Sequence, residues 1–152
     1  MIVYRICNSL YKDDISGYGA SIRGARWNTP GIPMLYTSEH ISLCALEMLV
    51  NIIITEVKLN FHLLQVNVPD TVSISSVAAQ KLKQNWRDDE GYTNFIGSEF
   101  CKNKNSMVLK VPSAVITEEY NYLINPKHTD FKKVKILSSK PFIFDQRLFS
   151  FK

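Results

Sequence analysis

Few residues in this chain have side chains whose type and spacing could do chemistry: Arg5, Arg26, Tyr36, Glu47, Ser113 and Asn125. Glu47 is the most informative. Between Ile41 and Val50 only Ser42 and Glu47 are polar, and a helix apolar on nearly all sides is normally buried. Glu47 follows Leu43 by one helical turn and precedes Val50 by another, so it shares a face with apolar neighbours. A buried carboxylate is costly unless something pairs with it or needs it. One explanation is a core ion pair with Arg5 or Arg26, though such pairs roughly break even against apolar packing. The other is catalysis. Two arginines supply the bidentate donors that a diphosphate wants. A tyrosine face suits a flat heterocycle. A carboxylate in a dry site suits positive charge developing on a ribose as a glycosidic bond breaks. Together they describe a site for a dinucleotide that is cut at a ribosyl bond. The plainer roles stay open beside this: Tyr36 as a rim aromatic, Ser113 as a turn residue after Pro112, Trp27 as a core aromatic rather than a stacking platform.

Other chemistries lack their motifs. There is no Ser-His-Asp arrangement, no G-x-S-x-G elbow and no glycine-rich phosphate loop of either standard type. No C-x-x-C or H-E-x-x-H spacing points to a metal, and His40, His62 and His128 are scattered. The net charge of +4 over 152 residues is compatible with an anionic ligand but too weak and dispersed to argue for nucleic acid. Cys7, Cys44 and Cys101 are odd in number and widely spaced, which reads as reduced core thiols of a cytosolic protein. The start, MIVYRICN, is too short and polar for a signal peptide. The apolar run through Ile52–Ile54 is interrupted by Glu47, Asn51 and Glu56, well short of a membrane span.

The elements that must position these residues follow from pattern. Ile2–Cys7 alternates and reads as a strand carrying Arg5. Residues 8–24 read as a long polar loop, and Asn28–Gly31 as a turn. Pro33–Thr37 is a short strand. Thr37–Ser38 caps a helix that runs to about Asn51. Phe61–Val68 is strand-like, Ser75–Trp86 has helical propensity, Asn85–Gly91 is a turn, and Tyr92–Lys102 is a second helix. Met107–Val111 is a buried-type strand that Pro112 interrupts. Asn125, before Pro126, is biased to extended geometry. Val134–Leu137 and Pro141–Phe144 are late strands. Mostly strands with two or three helices, without β-α-β alternation, predict an α+β fold. The length fits one domain, 1–152.

Several short motifs also carry a resemblance. Gly24-Ala25-Arg26-Trp27-Asn28 followed by Gly31, Leu35-Tyr36-Thr37-Ser38-Glu39, and Ala45-Leu46-Glu47 resemble the N-terminal signature of RES-domain proteins. Val111-Pro112-Ser113-Ala114-Val115, Glu119 with Asn121, Ile124-Asn125-Pro126, His128, Phe131, and Phe144-Asp145 with Arg147 resemble that family's C-terminal half. The one departure is Ala25, where the family usually has a second glycine.

The resemblance implies a compact fold similar to ADP-ribosyltransferases of the diphtheria-toxin type, with split β-sheets flanked by a few helices. It implies a toxin of a bacterial toxin–antitoxin pair that consumes NAD by releasing nicotinamide, with phosphate or water as acceptor. ADP-ribosylation of a protein is an alternative, and a non-catalytic dinucleotide-binding or partner-binding module a second. The implied partner is an Xre-type helix-turn-helix antitoxin, a separate chain that covers the active site, binds the DNA and sets the oligomer. By position, Arg5 and Arg26 are implied for the NAD phosphates or ribose, Tyr36 for stacking on nicotinamide, and Glu47 for the ribosyl cation. Ser113 is implied for ribose or nicotinamide, with Asn28 and Asn125 counted among the nucleotide-binding residues. No metal is implied.

Overall fold

The structure is a computed structural model that describes residues 1–51 and 60–149. In chain order its elements are β1 (Ile2–Asn8), α1 (Tyr18–Arg23), β2 (Leu35–Ser38), α2 (Ile41–Asn51), β3 (Phe61–Asn67), β4 (Ile74–Ser76), α3 (Glu90–Asn103), β5 (Val108–Pro112), β6 (Tyr120–Ile124) and β7 (Lys135–Phe142). The strands form one sheet in the order β4-β5-β6-β2-β1-β3-β7. Its pairs are antiparallel except β4 with β5. This is an α+β architecture.

The join between β1 and β2 organises everything else. β1 pairs with β3 along its whole length, from Ile2↔Asn67 to Asn8↔Phe61. Its register with β2 is the single pair Tyr4↔Ser38. The expected split therefore takes the form of a near-break in one sheet, with β1-β3-β7 on one side and β2-β6-β5-β4 on the other. Where β2 veers away, β1 finds other partners. Ile6 donates its N–H to Cys44 Sγ of α2 at 3.1 Å, as a buried peptide group must find some acceptor.

Each half carries its own apolar cover. α2 lays Ile41, Cys44, Ala45, Met48 and Leu49 against Ile6, Phe61, Leu63 and Phe144. α3 lays Ile96, Phe100 and Cys101 against Trp27, Leu109, Val111 and Leu123. The opposite face is packed by Val3, Leu35, Leu64, Val66, Met107, Val108 and Ile124. The three thiols are free and buried; burial pushes Cys44 up to about 11 and Cys101 to about 12.

Several expectations change. The loop at 8–24 contains α1, entered through Gly17 at φ 70. A Cβ there would lie 2.6 Å from the Met34 backbone, so no larger residue fits. Ser75–Trp86 is not a helix: β4 pairs in parallel with β5, and a 3-10 turn at Ala79–Lys81 follows. Burial of Leu82 and Trp86 beside Trp27 outweighs the local propensity. The two late strands are one, β7, with Pro141 opposite His62 on the sheet's edge, where a missing N–H costs no ladder bond. Pro112 ends β5 rather than interrupting it. α2 is not buried all round, since Leu46 and Val50 are exposed. The apolar run at Ile52–Ile54 lies outside the described residues.

Candidate active site

A cleft of about 840 Å³ opens at the β1/β2 break, within the ~300–1,000 Å³ usual for ligand sites. Its wall carries four arginines, Arg5, Arg23, Arg26 and Arg87, against two carboxylates, Glu47 and Glu90. Ile6, Trp27, Tyr36, Cys44, Met48 and Val50 supply apolar and aromatic surface. The field in the cleft therefore favours an anion with a flat apolar part.

Glu47 reaches the cleft from the second turn of α2. It is half-buried rather than sealed in the core, which corrects the expectation of full burial. Its Oε1 accepts two hydrogen bonds, from Ser113 Oγ at 2.7 Å and from Asn121 Nδ2 at 2.5 Å. Among the described residues no hydrogen bond reaches Oε2. Ser113 is fully buried just past β5. Its oxygen accepts the N–H groups of Val115 and Ile116, each at 3.0 Å. With both lone pairs occupied, its one proton is directed at Glu47. Asn121 stands on β6 opposite Ser38 of β2.

Arg5 crosses the break. Its Nη1 donates to the Tyr36 carbonyl at 3.3 Å, so the guanidinium bridges the two diverging strands. Its Nε is buried, with no partner among the described residues. A desolvated donor without an acceptor is costly.

Tyr36 does two jobs. It contributes to the wall, and its hydroxyl accepts the Trp27 N–H at 3.0 Å while donating to Asn28 Oδ1 at 2.7 Å. Burial pushes its ionisation above the ordinary tyrosine value, with the Trp27 N–H opposing, so it stays a neutral donor. Asn28 is fully buried. Its amide donates to the carbonyls of Ala20 and Ile32, both at 2.9 Å. Asn28 is therefore occupied in holding the Gly24–Gly31 loop. α3 grips the same loop from the other side. Asn94 Nδ2 donates to the Ala25 and Arg26 carbonyls at 2.6 and 2.8 Å, and Gly97 lets the helix backbone press on Trp27. Arg26 is thereby fixed at the rim, donating to the Arg87 carbonyl at 2.7 Å with Glu90 3.9 Å away.

Asn125 is not on the cleft wall. It donates to the Cys101 carbonyl at 2.9 Å and accepts from the Lys127 N–H at 3.0 Å, tying α3 to the end of β6.

The RES domain family matches residues 2–145. The chain belongs to the RES-domain family. A relative from Yersinia enterocolitica, named "Toxin Res", is 36% identical over 97% of this chain and 99% of its own length. Another from a Sphingobium strain, named "Prs ADP-ribosylating toxin", is 34% identical over 90% of this chain and 87% of its own. The fold is similar to the crystal structure of the M. tuberculosis MbcT–MbcA toxin–antitoxin complex, with a TM-score of 0.77 at 18% identity, covering 93% of this chain and 84% of that one.

In this RES-domain chain the fold brings Arg5, Arg26, Tyr36 and Glu47 to one cleft and Ser113 onto Glu47. Asn28 and Asn125 lie behind it as braces. Arg23, Arg87 and Asn94 at the cleft carried no sequence signal beyond ordinary surface polarity. Asn121, quoted for the resemblance without a role, donates directly to Glu47. Only the register of β6 on β2 aims it there. Among the described residues no group of three His, Cys, Asp or Glu side chains could hold a metal ion, and no helix is long and apolar enough to cross a membrane.

Proposed function

We propose that this chain is the toxin of a toxin–antitoxin pair and that it consumes NAD by breaking the bond between nicotinamide and ribose. The observation that carries this reading is Glu47: one carboxylate oxygen is held by Ser113 and Asn121, while the other is left for a ligand in an arginine-rich cleft. As the bond from the ribose C1′ to the nicotinamide nitrogen breaks, its electron pair leaves with nicotinamide and positive charge builds on the ribose. A fixed carboxylate stabilises that charge without reorganising, which is where enzymes gain most. Arg5 and Arg26 hold the diphosphate. Tyr36 and the apolar wall face nicotinamide. An acceptor oxygen, from phosphate or from water that releases a proton to solvent, then bonds to C1′. No step in this scheme calls on a metal. The working unit spans residues 1–152, acts in the cytoplasm, and is silenced by an Xre-type antitoxin seated over the cleft, through which it oligomerises.

A second reading, transfer of ADP-ribose to a protein, is favoured by the Sphingobium relative's name. It uses the same cleft and differs only in the acceptor.

The deciding experiment is NAD consumption by the purified chain, with and without phosphate, beside Glu47→Ala. Loss that needs phosphate and Glu47 identifies a phosphorolytic enzyme, and loss without phosphate a glycohydrolase. NAD left intact in both conditions by a folded wild-type chain refutes NAD cleavage with these acceptors. A mass shift on a cellular protein would then favour protein transfer, and no shift a non-catalytic binding role.

A further inference from the structure

Glu47 is the end of a hydrogen-bond chain that begins inside the sheet. Ser38, buried at the end of β2, pairs with Tyr4 of β1 and with Asn121 of β6. It thus sits at the one residue pair that joins β1 to β2. Its Oγ lies 2.6 Å from Asn121 Oδ1, and Asn121 Nδ2 lies 2.5 Å from Glu47 Oε1. The directions are forced in sequence. Glu47 Oε1 accepts from Ser113, so Asn121 presents its NH₂ group to the same oxygen. Asn121 Oδ1 must then point away, towards Ser38, and Ser38 must donate.

We infer that Ser38 is a positioning residue for Glu47: by donating to Asn121 it holds that amide with its NH₂ on Oε1, which keeps Oε2 turned to the substrate. This rests on the cleft being the NAD-cleaving site. Without the Ser38 hydroxyl, the half-buried Asn121 Oδ1 loses the donor that fixes it, and the amide is free to turn. Turned over, it would set an oxygen against Glu47 Oε1, acceptor against acceptor. Displacement of a reacting group by about 1 Å costs on the order of a hundredfold in rate.

The test compares Ser38→Ala, Ser38→Cys and Ser38→Thr, in the wild-type and Asn121→Ala backgrounds, by steady-state NAD consumption with thermal unfolding of each variant. Ser38→Cys keeps a side chain of the same shape, slightly larger, and offers only a weak donor, so it serves if the alanine variant does not fold. Both are expected to lower kcat by about ten- to a hundredfold with KM for NAD within about twofold, the pattern of an interaction that acts at the transition state. Ser38→Thr, which keeps the hydroxyl, should stay near wild type. In the Asn121→Ala background, losing the Ser38 hydroxyl should have no further effect, because Ser38 acts through Asn121. Wild-type kcat in the folded alanine and cysteine variants overturns the inference, as does an equal loss in both backgrounds. A wild-type chain that leaves NAD intact refutes the cleft reading and this inference with it.

Discussion

Gly97→Ala offers a test in which local and tertiary arguments predict opposite signs. Gly97 is inside α3, and in an isolated helix alanine is better than glycine by about 1 kcal/mol. In the folded protein a Cβ at Gly97 would stand 1.9 Å from the Trp27 carbonyl oxygen, 2.8 Å from its carbonyl carbon and 2.9 Å from its Cβ. A relaxed carbon–oxygen contact is about 3.3 Å or more, so α3 and the loop must separate by roughly 1.4 Å. The obstacle is largely backbone, so no side-chain rotation relieves it. Asn94, one turn earlier, would be drawn off the Ala25 and Arg26 carbonyls, and Arg26 would leave its place at the cleft. Overpacking of this kind costs about 1–3 kcal/mol, or about 2–4 °C of Tm per kcal/mol in a chain this long. Misplacing Arg26 by about 1 Å should cost on the order of a hundredfold in kcat/KM for NAD. Calorimetry and the NAD assay together decide it. A Gly97→Ala variant with raised Tm and wild-type kcat/KM would refute the packing of α3 on the Arg26–Asn28 loop.

Glu47→Gln should leave the fold and KM almost unchanged, because its amide oxygen still accepts from Ser113 and Asn121, while kcat falls at least about a hundredfold; steady-state kinetics with a circular dichroism check settles it. Tyr36→Phe strands the buried Asn28 Oδ1 and the Trp27 N–H and should cost about 1–3 kcal/mol, read from urea midpoints. Cys44 makes stability sensitive to alkali. Burial holds its thiol at about 11 when folded, against an ordinary 9.0, so above 9 the unfolded chain loses a proton that the native chain keeps. Stability therefore falls as pH rises from 9 towards 11, and urea midpoints over that range should fall less steeply in Cys44→Ala. Arg5→Lys loses the planar donor fork and should raise KM for NAD more than it lowers kcat.

Much of this molecule is legible in its sequence for physical reasons. Alternation over Ile2–Cys7 makes a strand because side chains alternate across it. Apolar spacing from Ile41 makes a helix, and a lone glutamate within it needs an explanation. Arg5, Arg26 and Tyr36, legible by residue type, all reach the cleft, and the cysteines are buried. Local pattern fails where long-range packing decides. Ser75–Trp86 gave up its helical propensity to the parallel pairing of Ile74–Ser76 with Val108–Lys110. α1 is a short helix fixed by Gly17 against Met34, a contact that no local pattern reveals.

The chemistry divides in the same way. Residue types alone specified a carboxylate, guanidinium groups and an aromatic ring. What they could not specify is that β1 and β2 meet at one pair, Tyr4↔Ser38, so that a cleft opens between them. Nor could they show that Asn121 would stand opposite Ser38 and donate to Glu47, or that Asn28 would turn inward to hold the loop. Side-chain type is local and survives any fold. Register is a property of two strands far apart in the chain, and a slip of one residue would send Asn121 to the other face of the sheet.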